Sequence, residues 1–150
     1  MKVLMVCLGN ICRSPLAEGI LQQKVKEKNL NWTIDSCGTS GWHQGELPDR
    51  RSIEVAISHG IDITHQRSRQ LIPKDLVEFD LILAMDSSNY NNILKIADSD
   101  TQKKKVKLLL NYLHPGENRG VPDPYYEGGF RKVFNMISDA CDKVLEQHMG

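Results

Sequence analysis

Apolar residues run unbroken from Val3 to Leu8. The run is too short for a helix and has no polar face, which suits a strand buried in a parallel sheet. Leu16, Ile20, Leu21 and Val25 follow at helical spacing. They predict a helix opening at Pro15, with Ser14 as its N-cap and Glu18 in its first turn. Trp32 to Ser36 reads as a second strand, broken by Gly38. Pro48 to His59 reads as a helix through Ile53, Ala56 and Ile57, stopped by Gly60. Phe79 to Met85 is a third strand, Ser87 to Ala97 a helix, and Lys105 to Leu110 a fourth strand. Phe130 to Gln147 is the clearest amphipathic helix, with Phe130, Val133, Phe134, Ile137, Cys141, Val144 and Leu145 on one face.

Strands and helices therefore alternate. That order predicts an α/β fold, a Rossmann-like four-stranded parallel sheet with helices on both faces. Such sheets place ligands beyond the carboxyl ends of their strands. Three segments lie there: Cys7 to Ser14, Cys37 to Leu47, and Asn111 to Gly129. The last is long for an ordinary connection, as functional loops are.

Composition narrows the class. At 150 residues, 40% hydrophobic and 25% charged, the chain fits one domain, 1–150, with a full core. Its 19 basic and 19 acidic residues balance, so nothing points to nucleic acid. No apolar run matches a signal-peptide core or a bilayer span. The expectation is a cytoplasmic protein without a membrane partner. Its four cysteines, Cys7, Cys12, Cys37 and Cys141, are then reduced thiols rather than a disulfide framework.

The candidate chemistry lies after the first strand, in Cys7-Leu8-Gly9-Asn10-Ile11-Cys12-Arg13-Ser14-Pro15. A loop of this size between strand and helix can turn successive backbone N–H groups inward as a nest. The free amides of the helix first turn point the same way. Gly9 is the residue expected to supply a positive φ. Arg13 offers a planar fork for two phosphate oxygens. Cys7 lies at the base of this positive field, which favours the sulfur anion. The cavity suits a tetrahedral dianion with a nucleophile beneath it. Cys-x5-Arg alone is a weak signal, and a core cysteine beside a surface arginine is the bland alternative.

Rival motifs are missing. There is no Gly-Lys for a Walker A loop and no Gly-x-Gly-x-x-Gly. Position 15 is proline where a plant-type iron–sulfur site needs cysteine. No Cys-x2-Cys pair supports zinc. Neither a metal nor a cofactor is expected.

Val6 to Glu18, VCLGNICRSPLAE, resembles the signature of the low-molecular-weight protein tyrosine phosphatases. IDSCGTSGW at 34–42, HGI at 59–61, FDLILAMD at 79–86 and DPYY at 123–126 extend the resemblance along the chain. It implies a protein-tyrosine-phosphatase of the phosphotyrosine phosphatase I fold, acting without metal through a phosphocysteine. Cys7 is then the nucleophile, and Arg13 binds the transferring phosphoryl group. Asp123 is the general acid and base. On residues alone, Asp123-Pro124 reads first as an ordinary turn; the resemblance gives it the acid role.

The resemblance also implies that Leu8, Gly9, Asn10, Ile11, Cys12 and Ser14 bind substrate, with Trp42, Tyr125 and Tyr126 as aromatic walls at the mouth. Related protein-arginine phosphatases carry threonine at the position of Ile11 and lack the tyrosine pair, so both features favour phosphotyrosine. Asn10, Ser14 and Ser36 match positions that brace the loop by hydrogen bonds. A family histidine joins that network, and here the match is ambiguous between His65 and Gln66. Asp86 is expected to be structural, near the loop. The implied partners are tyrosine-phosphorylated proteins, including autophosphorylated tyrosine kinases, with inorganic phosphate as product and a monomer or weak dimer as the working state.

Two other classes compete. An arsenate reductase of similar fold would need relay cysteines, and none lies between Cys37 and Cys141. A non-catalytic phosphate binder would need neither thiol nor acid. Cys12, five positions after Cys7, is a candidate partner for a reversible disulfide.

Overall fold

The computed structural model describes residues 1–149, the side chain of Glu127 apart. The chain orders as β1 (Lys2–Cys7), α1 (Arg13–Glu27), β2 (Thr33–Gly38), α2 (Arg50–Ser58), α3 (Asp75–Glu78), β3 (Leu81–Ala84), α4 (Ser87–Ile96), α5 (Asp100–Lys104), β4 (Val106–Leu108), a 3-10 turn (Leu109–Asn111), α6 (Pro124–Glu127) and α7 (Phe130–His148). The four strands form one parallel sheet in the order β2-β1-β3-β4. The chain leaves β1 toward β2 and later returns to β3 on the other side. The carboxyl end of β1 is therefore the point where strand order reverses, and Cys7 is its last residue.

β1 alternates between two cores. Val3, Met5 and Cys7 pack with α1, α2 and α7. Leu4 and Val6 pack with Leu76 of α3 and Ile93 of α4. Burial on both faces explains why the strand reads as continuous apolar sequence. Helix α7 buries Val133, Phe134, Ile137, Ala140, Cys141, Val144 and Leu145. A large apolar side chain so placed stabilises by about 1.5–3 kcal/mol, which holds this helix across the sheet.

Several boundaries differ from expectation. Helix α1 begins at Arg13 with Cys12 at its cap, and no side chain caps it. Ser14 is therefore not the N-cap, because its hydroxyl is engaged inside the loop. Glu18 lies past the first turn and is buried. Gly38 ends β2 rather than breaking it. Helix α2 starts after Asp49, whose side chain accepts from the Arg51 amide. Helices α3, α5 and α6 have only four or five residues each, too few to show a period.

Candidate active site

The loop between β1 and α1 wraps around Cys7. Its carbonyls are held from outside. The Thr39 amide donates to Cys7 O, that of Ser40 to Leu8 O, and that of Asp49 to Ile11 O, at 2.9, 2.9 and 2.7 Å. The Ser68 hydroxyl donates to Gly9 O at 2.9 Å and that of Ser52 to Cys12 O at 3.4 Å. In a trans peptide the N–H opposes the C=O. Carbonyls turned outward thus leave the following amides facing inward, as an anion nest requires. One of these, Asn10 N–H, donates to Cys7 Sγ at 3.3 Å.

The left-handed residue of the loop is Asn10, at φ 56°, and not Gly9. Asn10 tolerates this conformation because its side chain is fixed locally. Its Nδ2 donates to Ser14 Oγ at 2.8 Å and Ser36 Oγ at 3.0 Å, and its Oδ1 accepts from Arg69 N at 3.1 Å. Gly9 is constrained instead by His43, whose Cδ2 would stand 3.0 Å from an added Cβ. Gly38 is required by close approach, because a Cβ there would meet Leu8 O at 2.7 Å.

Ser14 Oγ lies 3.0 Å from Cys7 Sγ. Since it accepts from Asn10, its own proton points either to the sulfur or to Cys37 O, which lies farther off at 3.4 Å. Ser36 Oγ donates onward to Glu18 Oε1 at 2.6 Å. A hydrogen-bonded chain thus runs from the buried Glu18 through Ser36, Asn10 and Ser14 to Cys7. Burial pushes the Glu18 carboxyl up to about 7, against the Ser36 bond.

Arg13 is 3% exposed. Its Nη1 donates to Asp86 Oδ2 at 2.7 Å and to Val121 O at 3.0 Å, and its Nη2 lies 3.6 Å from Asp123 Oδ2. Burial opposes its charge most strongly. Cys7, Asp86 and Asp123 outweigh that and hold the guanidinium above its ordinary value. Asp86 caps α4 through the Asn89 amide and so aims the arginine while fixing the helix. Asp123 divides its oxygens. Oδ1 caps α6 through Tyr125 N at 3.1 Å, while Oδ2 faces Arg13. The plain turn role and the cleft role therefore coexist.

Cys7, Leu8, Gly9, Ile11, Cys12, Arg13, Asp123, Trp42, Tyr125 and Tyr126 line one cleft, together with His43. The floor is closed and the walls are open: Cys7 is 3% exposed, Trp42 75% and Tyr126 74%. The two tyrosine rings meet edge to face at 5.0 Å. No spacing in the sequence signals His43. Asn10, Ser14 and Ser36 brace the loop from behind. His65 does not join them: it is exposed. Gln66 is the buried residue of the two, its Nε2 donating to Pro15 O at 3.1 Å. Burial raises the Cys12 thiol to about 12, so it is a neutral neighbour of Cys7.

A family model described as low molecular weight phosphotyrosine protein phosphatase matches residues 2–149. A phosphatase of that name from Schizosaccharomyces pombe is 43% identical, covering 97% of this chain and 95% of its own. The crystal structure of YfkJ from Bacillus subtilis superposes with a TM-score of 0.94 at 37% identity, covering 99% of this chain and 94% of its own. That of a Drosophila arginine phosphatase does so at 0.93 and 35%, covering 100% and 99%.

Proposed function

Because the chain belongs to the low molecular weight phosphotyrosine protein phosphatase family, we propose that it hydrolyses phosphotyrosine in proteins through a phosphocysteine, without a metal. The observation that carries this reading is the convergence of Cys7, Arg13 and Asp123 on one aromatic-walled cleft. Cys7 sulfur attacks phosphorus in line, and the bond from phosphorus to the phenolic oxygen breaks. Arg13 and the inward amides stabilise the equatorial oxygens as charge develops there. Asp123 gives its proton to the departing oxygen. Water then attacks the thiophosphate, Asp123 takes the water proton, and the sulfur–phosphorus bond breaks to release phosphate. Ser14, braced by Asn10, donates a hydrogen bond to the sulfur that stabilises it as a leaving group.

Depth selects the substrate. The buried sulfur lies beneath an open rim of Trp42, Tyr125 and Tyr126, so a phosphate must be carried inward on a long, flat stem. A phenyl ring fits and can stack on the walls; a serine stem is too short. Ile11 and the tyrosine pair support phosphotyrosine over phosphoarginine. Cys37 and Cys141 are fully buried, and burial raises both thiols, that of Cys141 to about 12. Unlike Cys12, neither lines the cleft beside Cys7, which counts against an arsenate reductase. An unprotected thiol nucleophile fits a reducing, cytoplasmic setting. Autophosphorylated tyrosine kinases are suitable substrates, and the cleft is complete within one copy, so a monomer suffices. The test is turnover of matched phosphotyrosine, phosphoserine and phosphoarginine peptides with EDTA present. Preference for phosphotyrosine is expected; preference for phosphoarginine, or loss of activity in EDTA, would overturn the assignment.

A further inference from the structure

The first turn of α2 stands between the two loops of the cleft. On one side it holds the phosphate loop: Asp49 N donates to Ile11 O at 2.7 Å, and the Ser52 hydroxyl to Cys12 O at 3.4 Å. On the other side Arg51 reaches toward the segment that carries Asp123. Its guanidinium is forked onto Asp49, with Nε 3.1 Å from Oδ1 and Nη2 3.1 Å from Oδ2. So oriented, it lies 4.6 Å from the Phe130 ring centroid and 5.6 Å from that of Tyr125, and Nη2 donates to Tyr125 O at 3.4 Å.

Tyr125 and Phe130 flank Gly128 and Gly129, both left-handed at φ 77° and 78°. The two glycines join the helices: Gly128 closes α6 by donating to Pro124 O at 2.8 Å, and Gly129 opens α7 by accepting from Val133 N at 3.0 Å, at φ values that suit glycine. Arg51 touches a ring on each side of this junction. Asp123 itself is attached to Arg13 only at 3.6 Å. That contact is too long for a strong hydrogen bond, so the carboxyl is held chiefly by the Tyr125 amide, which donates to Oδ1 at 3.1 Å, and the placement of Tyr125 sets where it sits.

We propose that Arg51 is a positioning residue for the acid loop: held by Asp49 and seated against Tyr125 and Phe130, it sets the reach of Asp123 over the phosphate loop. This rests on the phosphatase reading above. The planar fork matters as much as the charge, because lysine can neither chelate Asp49 nor lie flat against two rings.

The test measures kcat/KM, which covers steps through loss of the leaving group. Dinitrophenyl phosphate needs little acid assistance; phenyl phosphate needs much. Arg51→Ala should raise the ratio of kcat/KM for dinitrophenyl over phenyl phosphate by about tenfold, since a carboxyl displaced by about 1 Å loses much of its effect. Arg51→Lys, which keeps the stem and the charge, should move the ratio in the same direction. In an Asp123→Ala background, Arg51→Ala should leave the ratio within about twofold, because the residue acts through Asp123. An unchanged ratio in both single variants, or an undiminished effect without Asp123, would overturn the proposal. No turnover of either ester by the unaltered protein would overturn the phosphatase reading, and this proposal with it.

Discussion

Glu18→Gln removes a titration from the interior. The side chain is 6% exposed and lies behind the phosphate loop, accepting from Ser36 at 2.6 Å and from Gln22 at 3.1 Å. Burial raises its carboxyl from the ordinary 4.5 to about 7; Asp35 adds to this, while Ser36, Gln22 and Arg69 oppose it. The native state therefore binds this proton more tightly than the unfolded chain does. The stability it contributes is complete below pH 4.5 and is lost as pH rises toward and through about 7. A difference of this size corresponds to about 3 kcal/mol in full, of which roughly 2–3 kcal/mol falls between pH 5 and 8. Glutamine cannot titrate but can still accept from Ser36. Urea unfolding of both proteins at several pH values checks this. The gap between the two stability curves should change by roughly 2–3 kcal/mol across that range, the parent losing more as pH rises. Parallel curves would refute the buried, raised carboxyl and its place behind the loop.

Asp123→Ala should slow phenyl phosphate by about 10²–10⁴-fold in kcat/KM and dinitrophenyl phosphate far less; equal losses would remove Asp123 from the acid role. Gly38→Ala pushes a methyl group to 2.7 Å from Leu8 O, so a stability loss of about 1–3 kcal/mol by thermal unfolding and reduced phosphate affinity are expected. Unaltered phosphate affinity would show that β2 does not shape the loop. Mild peroxide should join Cys7 to Cys12 in a bond that dithiothreitol reverses; peptide mass spectra with both thiols irreversibly oxidised and no cross-link would contradict this.

The alternation of four strands with long helices was legible because each buries a periodic face. Val3 to Leu8 announces a strand covered on both sides, and the stripe of α7 announces its packing. Cys7, Arg13 and the loop between them were legible because they are contiguous. Asp123 was legible only through resemblance, since Asp-Pro marks many turns. The contacts that aim the site join distant positions. Asp86 meets Arg13 across 73 residues, and Val121 O meets it across 108. No local pattern encodes such pairings. Ser14 reads locally as a cap because a serine before proline at a helix start has that signature, while its real partners, Cys7 and Asn10, depend on the closed loop. Counting leaves His65 and Gln66 equal as matches to the family histidine. The structure buries Gln66 against Pro15 O and leaves His65 exposed, and Gln66 makes no bond to Asn10, Ser14 or Ser36.

The central claim is that phosphorus passes through the sulfur at the floor of the cleft. Acid-quenching the protein during turnover of an aryl phosphate, then sequencing its peptides by mass spectrometry, tests this directly. Phosphate bound to Cys7, absent in Cys7→Ser although that variant still binds phosphate, is the expected result. Turnover with no phosphate on Cys7, or with phosphate on another residue, would contradict it.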